Sequence, residues 1–570
     1  MSEVRYPKPA VLGALRGEGA APPRLAVIEA SAGTGKTFTI EHAVVELVLA
    51  GTPIEQLLVV TFTERATSEL RERVRALLER VAACRETPPG TGAGRDAWVL
   101  DDAARARLQA ALLAFDQAPI STIHGFCQRT LVENAFLLGR LLHQELEDER
   151  SAFSRAFKHC LRRQLATGAL ESELVAWLGK GRTVDALETL LYSVHGKRAE
   201  VRPPLDPRRL QRALDEALAW ASDARLGQAR AQVADPARRL HGRTRAAILA
   251  RLDKLEAWAD ASDEPPTLLE LHADERVDSA LDYLLKPTPS AALEALGGEA
   301  QALVTCLRSL RAAMTTFEAA ATQLFLPPVQ RRLAEVKLRE GVYTFGDMLA
   351  VVREALAARD ADGAPTPQGA LLLRRLRARY RHALIDEFQD TDEVQWGIFR
   401  RVFLESPEHG LWVVGDPKQA IYGFRGGDVF TYLRARAELT HAQAARQPLR
   451  ASYRSTPALI AALHALYDPQ APAPFFRHPE IPYDDQVRCG VPGRRLVGRD
   501  GAPAAPIKVC KLVVPEGQTL SAGRIRERHG RWIAREVRDL LAGGLRYGAA
   551  GEERPIPAHE VFCLTRTRRE

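Results

Sequence analysis

The stretch "LAVIEASAGTGKTFTI", residues 25–40, runs from an apolar segment through a glycine-rich turn into a helix-like segment. A buried strand, a loop and a helix start are the setting a phosphate-binding loop requires; outside it, GKT is only a turn. Gly33 and Gly35 let backbone N–H groups curl around an anion with no Cβ in the way. The helix that follows points its N-terminal donors at the same place. On this reading Ala30, Ser31, Ala32, Gly33, Thr34 and Gly35 form the cradle. Lys36 reaches the β- and γ-phosphates, and the Thr37 hydroxyl ligates Mg²⁺. The first glycine of the usual G-x-x-x-x-G-K-[ST] pattern is Ala30 here.

Three more apolar runs, "LLVVTF" (57–62), "HALIDE" (382–387) and "LWVVGD" (411–416), each precede a polar turn and a helical pattern. Unbroken apolar strands suit a parallel sheet covered on both faces, and their alternation with helices predicts an α/β core. Residues 140–335 change character, with Leu, Ala, Arg and Glu at helical spacing, and read as a helical insertion. Its Arg-rich faces read as solvated helix surface before a dedicated DNA patch. The expected organisation is a P-loop domain of residues 1–139 and 336–445, the insertion 140–335, and a further segment 446–570.

"HALIDEFQDTDEVQW", residues 382–396, sets Asp386, Glu387 and Asp390 behind one of these strands. Acidic residues also open ordinary surface helices, where they complement the helix dipole. A P-loop, however, needs an acidic partner on a neighbouring strand to hold Mg²⁺ and orient water. Asp386, at the carboxyl end of a strand, is expected beside the P-loop. It reads as the Mg²⁺ ligand, and Glu387 as the base that activates water.

Bulk properties exclude little. Lys plus Arg number 79 against 72 Asp plus Glu, a net charge of +7, compatible with a polyanionic partner without indicating one. The seven cysteines contain no C-x-x-C pair, which argues against a zinc site and a disulfide framework. The N-terminus lacks the apolar core of a signal peptide, and no stretch of about 20 apolar residues occurs. A cytoplasmic protein with no membrane partner is expected.

The ordered set "ASAGTGKTFTI", "VVTFTERATSELRERV", "STIHGFCQR", "LIDEFQDT", "VVGDPKQAIYGFRGGD" and "LRASYRST" resembles the motif series of UvrD/Rep-type superfamily 1 DNA helicases. The spellings "EASAGTGKT", "TIHGFCQR" and "GDPKQAIY…FRG" most resemble the RecB branch, the beta subunits of exodeoxyribonuclease V. The resemblance implies a RecA-like motor domain (1A), a large helical insertion (1B) and the start of a second RecA-like domain (2A). It implies ATP and Mg²⁺ as cofactors, Gln419 as γ-phosphate sensor, Arg454 as an arginine finger and Tyr453 against adenine.

It further implies that Thr61, Phe62, Thr63, Thr122 and His124 meet the DNA backbone. Tyr422, Phe424 and Arg425 would stack on unpaired bases, as aromatic and guanidinium groups do; alone, that triplet reads as core packing. The implied activity is that of an ATP-dependent 3′→5′ helicase subunit, with single-stranded DNA in the motor and duplex ahead. RecC-like and RecD-like partners and a role in double-strand break repair and recombination come with it. Two departures stand out: residues 1–28 contain no glutamine to read adenine, and Ser452 stands where asparagine is common. The later helicase motifs have no counterpart, so the chain reads as the N-terminal part of a longer protein. Alternatives are a stand-alone UvrD- or AddA-like repair helicase, or a chain that binds nucleotide or DNA without turnover.

Overall fold

The computed structural model describes residues 4–16, 21–91, 96–138, 145–197, 200–222, 224–238, 240–260, 266–421, 428–514 and 519–565. The chain divides into two compact units, one of residues 1–139 and 348–570, the other Arg140–Asp347.

The first unit is built on a six-stranded parallel sheet. Its strands are β1 (Leu25–Ala30), β2 (Leu57–Thr61), β3 (Ile120–Thr122), β4 (His382–Ile385), β5 (Gly410–Gly415) and β6 (Ala445–Leu449). Their spatial order is β6-β1-β5-β4-β2-β3, every pairing parallel. β2 and β5 are buried along their whole length, which is why they appear in the sequence as unbroken apolar runs. Ala26 and Ile28 from β1, Leu57 and Val59 from β2, Leu384 from β4 and Trp412 and Val414 from β5 share one core with Ile40, Val44 and Leu47 of the helix Lys36–Leu49.

Asp386 does not lie on the strand next to the P-loop strand. β5, which ends at Gly415 just before Asp416, separates β4 from β1. Strand order depends on the path of the crossovers, which local sequence does not encode. A helix buried on so many sides also buries charge. Glu46, 1% exposed, takes an ion pair from Lys8 at 3.4 Å and one from Arg16 at 2.5 Å, and the Trp98 indole N–H donates to it as well. The N-terminal strand Arg5–Pro7, paired antiparallel with Ala97–Val99, brings Lys8 to that position.

Residues 446–570 add an antiparallel sheet of Arg494–Gly498, Leu545–Ala549 and Arg554–Pro555 and the helix Ala522–Asp539, none of whose residues is buried. In "PAHEVFCLTRTRRE", Ala558–Glu560 is one 3₁₀ turn, and 561–565 carry no strand.

The second unit is helical, apart from a short parallel ladder of Glu145–Leu146 with Val342–Tyr343. It holds two cores, one around Phe153, Phe157, Trp177 and Phe325, the other around Trp220, Trp258, Leu281 and Leu307. The helix Phe317–Glu340 runs unbroken through the expected 335/336 boundary, and the unit continues to Asp347. The ladder explains the extension, because Val342 and Tyr343 pair within this unit.

Candidate active site

The carboxyl ends of β1, β5 and β4 bring the P-loop, Asp416 and the acidic pair to one edge of the sheet. Register sets Glu29 opposite Gly415 and Val413 opposite Ile385. In the loop after β1, Gly33 and Gly35 take φ of +76° and +88°, the left-handed region that glycine enters freely. Gly35 caps the helix Lys36–Leu49 and supplies no side-chain hydrogen bond, so the first-turn N–H groups keep their capacity for an anion. Thr34 closes the loop through its hydroxyl, which donates to the Ser31 carbonyl at 2.7 Å.

Lys36 crosses to the acidic motif. Its Nζ donates to Glu387 Oε2 at 2.5 Å and to Gln419 Oε1 at 3.4 Å. Gln389 Nε2 donates to the same Glu387 oxygen at 2.7 Å, and Gln419 Nε2 donates to Asp416 Oδ2 at 2.8 Å. Asp386 accepts the backbone N–H of Glu387 at 2.8 Å. Burial, followed by the Glu387 charge, pushes its pKa up to about 6. The same two causes, in the same order, raise Asp390 to about 6, and Asp390 Oδ1 is buried without a hydrogen-bond partner among the described residues.

These groups fit a phosphate with its cation. Open helix N–H groups and a lysine held only by side chains suit the phosphate. A buried carboxylate whose ionised form is disfavoured suits a cation. Among the described residues no cluster of three His, Cys, Asp or Glu could hold a metal ion. That is the expected situation for Mg²⁺, which takes one or two carboxylates plus phosphate oxygens.

Of the other sequence candidates, Tyr453 and Arg454 reach the loop. The Tyr453 N–H donates to the Gly33 carbonyl at 2.8 Å. Its ring is 56% exposed, and its own carbonyl accepts from Arg494 at 2.6 Å. Ser452 Oγ is buried with no hydrogen-bond partner among the described residues.

Thr61 and Thr122 meet across β2 and β3, respectively three and four strand spacings from β1, roughly 14 and 19 Å. Their hydroxyls have internal partners: Thr61 bonds Thr67 at 2.6 Å, and Thr122 donates to Glu64 at 2.8 Å while capping Gly125. Thr63 caps the helix Glu64–Ala83, and Phe62 is half-buried beside it. His124 sits in the first turn of Ile123–Glu133, not in a loop, and burial lowers its pKa. Tyr422, Phe424 and Arg425 lie outside the described residues. Asp416 was not among the sequence candidates, although "GDPKQ" contains it. Its signal was the aspartate at the end of an apolar strand, the same signal that singled out Asp386.

The sequence profile of the UvrD/REP helicase N-terminal domain matches residues 20–440. The chain belongs to this family. Within it the chain is RecB-like. It is 32% identical over 587 residues to the RecBCD enzyme subunit RecB of Escherichia coli (strain K12), covering 95% of this chain and 46% of that one. It is 33% identical over 514 residues to the RecB subunit of Haemophilus influenzae, covering 79% and 40%. To the Mycolicibacterium smegmatis subunit the identity is 27% over 559 residues, covering 96% and 38%. The chain thus spans less than half the length of these curated relatives. No helix among the described residues is long and apolar enough to cross a membrane.

Proposed function

We propose that the chain carries the nucleotide site of an ATP-dependent 3′→5′ DNA helicase, a subunit of a RecBCD-like assembly with RecC-like and RecD-like partners. Double-strand break repair and recombination are the setting that the RecB-like sequence supports. The single observation that carries the reading is the hydrogen-bonded meeting of Lys36, Glu387 and Gln419 at a helix N-terminus that no side chain caps.

Lys36 turns from Glu387 to the phosphate oxygens of ATP, and the Glu387 carboxylate, released from that cation, takes a proton from the attacking water. Thr37 and Asp386 would hold Mg²⁺, which would supply neutralisation of phosphate charge. Gln419 loses its bond to Lys36 in the same move and senses the γ-phosphate. Arg454 adds a cation at the cradle, and the exposed Tyr453 ring offers a face to the base. Thr61–Thr63, Thr122 and His124, at the far end of the same sheet edge, meet the DNA backbone, and Tyr422, Phe424 and Arg425 stack on unpaired bases. Because both groups hang from one sheet, a shift at β4 and β5 can reach β2.

DNA-stimulated ATP hydrolysis by the 570-residue chain is the test. Turnover reduced at least 100-fold by Lys36→Ala supports the reading. Nucleotide and DNA binding by the unaltered chain with no turnover points to a binding-only role instead.

A further inference from the structure

We propose that Gln389 is the positioning residue that sets the Glu387 carboxylate and couples it to the strand end bearing Asp416; this rests on the reading of Glu387 as the water-activating base. Gln389 is 2% exposed, and both ends of its amide are used. Nε2 donates to Glu387 Oε2 at 2.7 Å, and Oε1 accepts the backbone N–H of Asp416 at 2.9 Å. The reversed amide would turn a carbonyl toward a carboxylate and an NH₂ toward an N–H, so only one orientation satisfies the site.

The surroundings are shaped for this contact. A Cβ on Gly415 would stand 2.7 Å from Gln389 Oε1, so any larger residue at the end of β5 would push the amide away. Glu387 itself lies at φ +47°, a left-handed conformation uncommon for a glutamate and retained only where neighbours over-determine it. Lys36 and Gln389 are the side chains that hold its carboxylate. A closed ring results: Lys36, Glu387, Gln389, Asp416, Gln419 and back to Lys36. When phosphate draws Lys36 away, Gln389 remains as the tether. It keeps Oε2 engaged and leaves Oε1 to accept the proton, while any displacement of Glu387 pulls on Asp416 and so on Gln419.

Two substitutions separate the two ends of the amide. Gln389→Leu removes both bonds; Gln389→Glu keeps the acceptor for Asp416 and replaces the donor with a carboxylate that repels Glu387. For DNA-stimulated ATP hydrolysis we expect kcat to fall at least 20-fold in both variants, with KM for ATP within threefold of the unaltered chain. Hydrogen exchange at the Asp416 amide, with and without a non-hydrolysable Mg–ATP analogue, gives a readout that needs no turnover. Protection should be lost in Gln389→Leu and kept in Gln389→Glu, and the analogue should change it in the unaltered chain but not in Gln389→Leu. Asp416 exchange indifferent to Gln389→Leu, or kcat in both variants within twofold of the unaltered chain, overturns the proposal. Glu387→Gln measured alongside isolates the other failure: if it hydrolyses ATP at the normal rate, the base assignment falls, whatever the exchange at Asp416 shows.

Discussion

Gly33 has two demands on it at once. Its φ of +76° excludes most side chains at little cost to glycine alone, and a Cβ there would stand 2.4 Å from the Arg454 Cβ and 3.3 Å from Ser452 Oγ. The absence of a side chain therefore lets the Ser452–Arg454 segment close on the cradle, with the Tyr453 N–H on the Gly33 carbonyl. Gly33→Ala must either open that contact or strain the loop, each costing on the order of 1–3 kcal/mol. The expected outcome is a weakening of Mg–ATP affinity of roughly 10-fold or more, measured by equilibrium titration, with the melting temperature lowered by a few degrees at most. Unchanged affinity would mean that Arg454 and Tyr453 do not act on the nucleotide. The same scale shows what the sequence could reveal. Lys36 and Glu387 could be singled out because each follows an apolar strand, and Gln419 only through the resemblance of its motif. Asp416 was passed over, since nothing local says that its strand is the one beside the P-loop.

At the scale of elements, the helix Lys36–Leu49 links the nucleotide site to the N-terminal segment. Its outer half buries Glu46 against Lys8, Arg16 and Trp98, and burial, the largest influence on Lys8, lowers its pKa despite the adjacent carboxylate. Removing one member of a buried charge cluster leaves the others unpaired, at about 3–5 kcal/mol. Glu46→Ala should lower unfolding free energy by that amount in urea titration, whereas a loss below about 1 kcal/mol would show that the cluster adapts without it. Four of the six parallel strands were readable from their apolar runs and the helical insertion from its spacing; Ile120–Thr122 and Ala445–Leu449 offered no such run. The pairing of Val342 and Tyr343 was not readable, because it depends on which strand lies alongside rather than on composition.

For the whole molecule, stability should depend on pH through His382, at the start of β4. Burial, followed by the Arg381 and His409 charges, lowers its pKa from 6.5 to about 4. The unfolded chain then binds the extra proton more readily between those values, so this contribution is intact above pH 6.5 and is lost as pH falls toward 4. At pH 5 the loss is about 2 kcal/mol relative to pH 7.5. Asp386 and Asp390, raised to about 6, act with the opposite sign between about pH 4 and 6. Comparing the unaltered chain with His382→Gln isolates the histidine: the variant should lose less stability on acidification, and equal losses would contradict the assignment. The carboxylate held by Lys36 is the group proposed to activate water. The most direct test is Glu387→Gln, with Mg–ATP affinity and DNA-stimulated hydrolysis measured on the same preparation. Affinity should stay within threefold of the unaltered chain while hydrolysis falls at least 100-fold; hydrolysis at the unaltered rate would rule out Glu387 as the base.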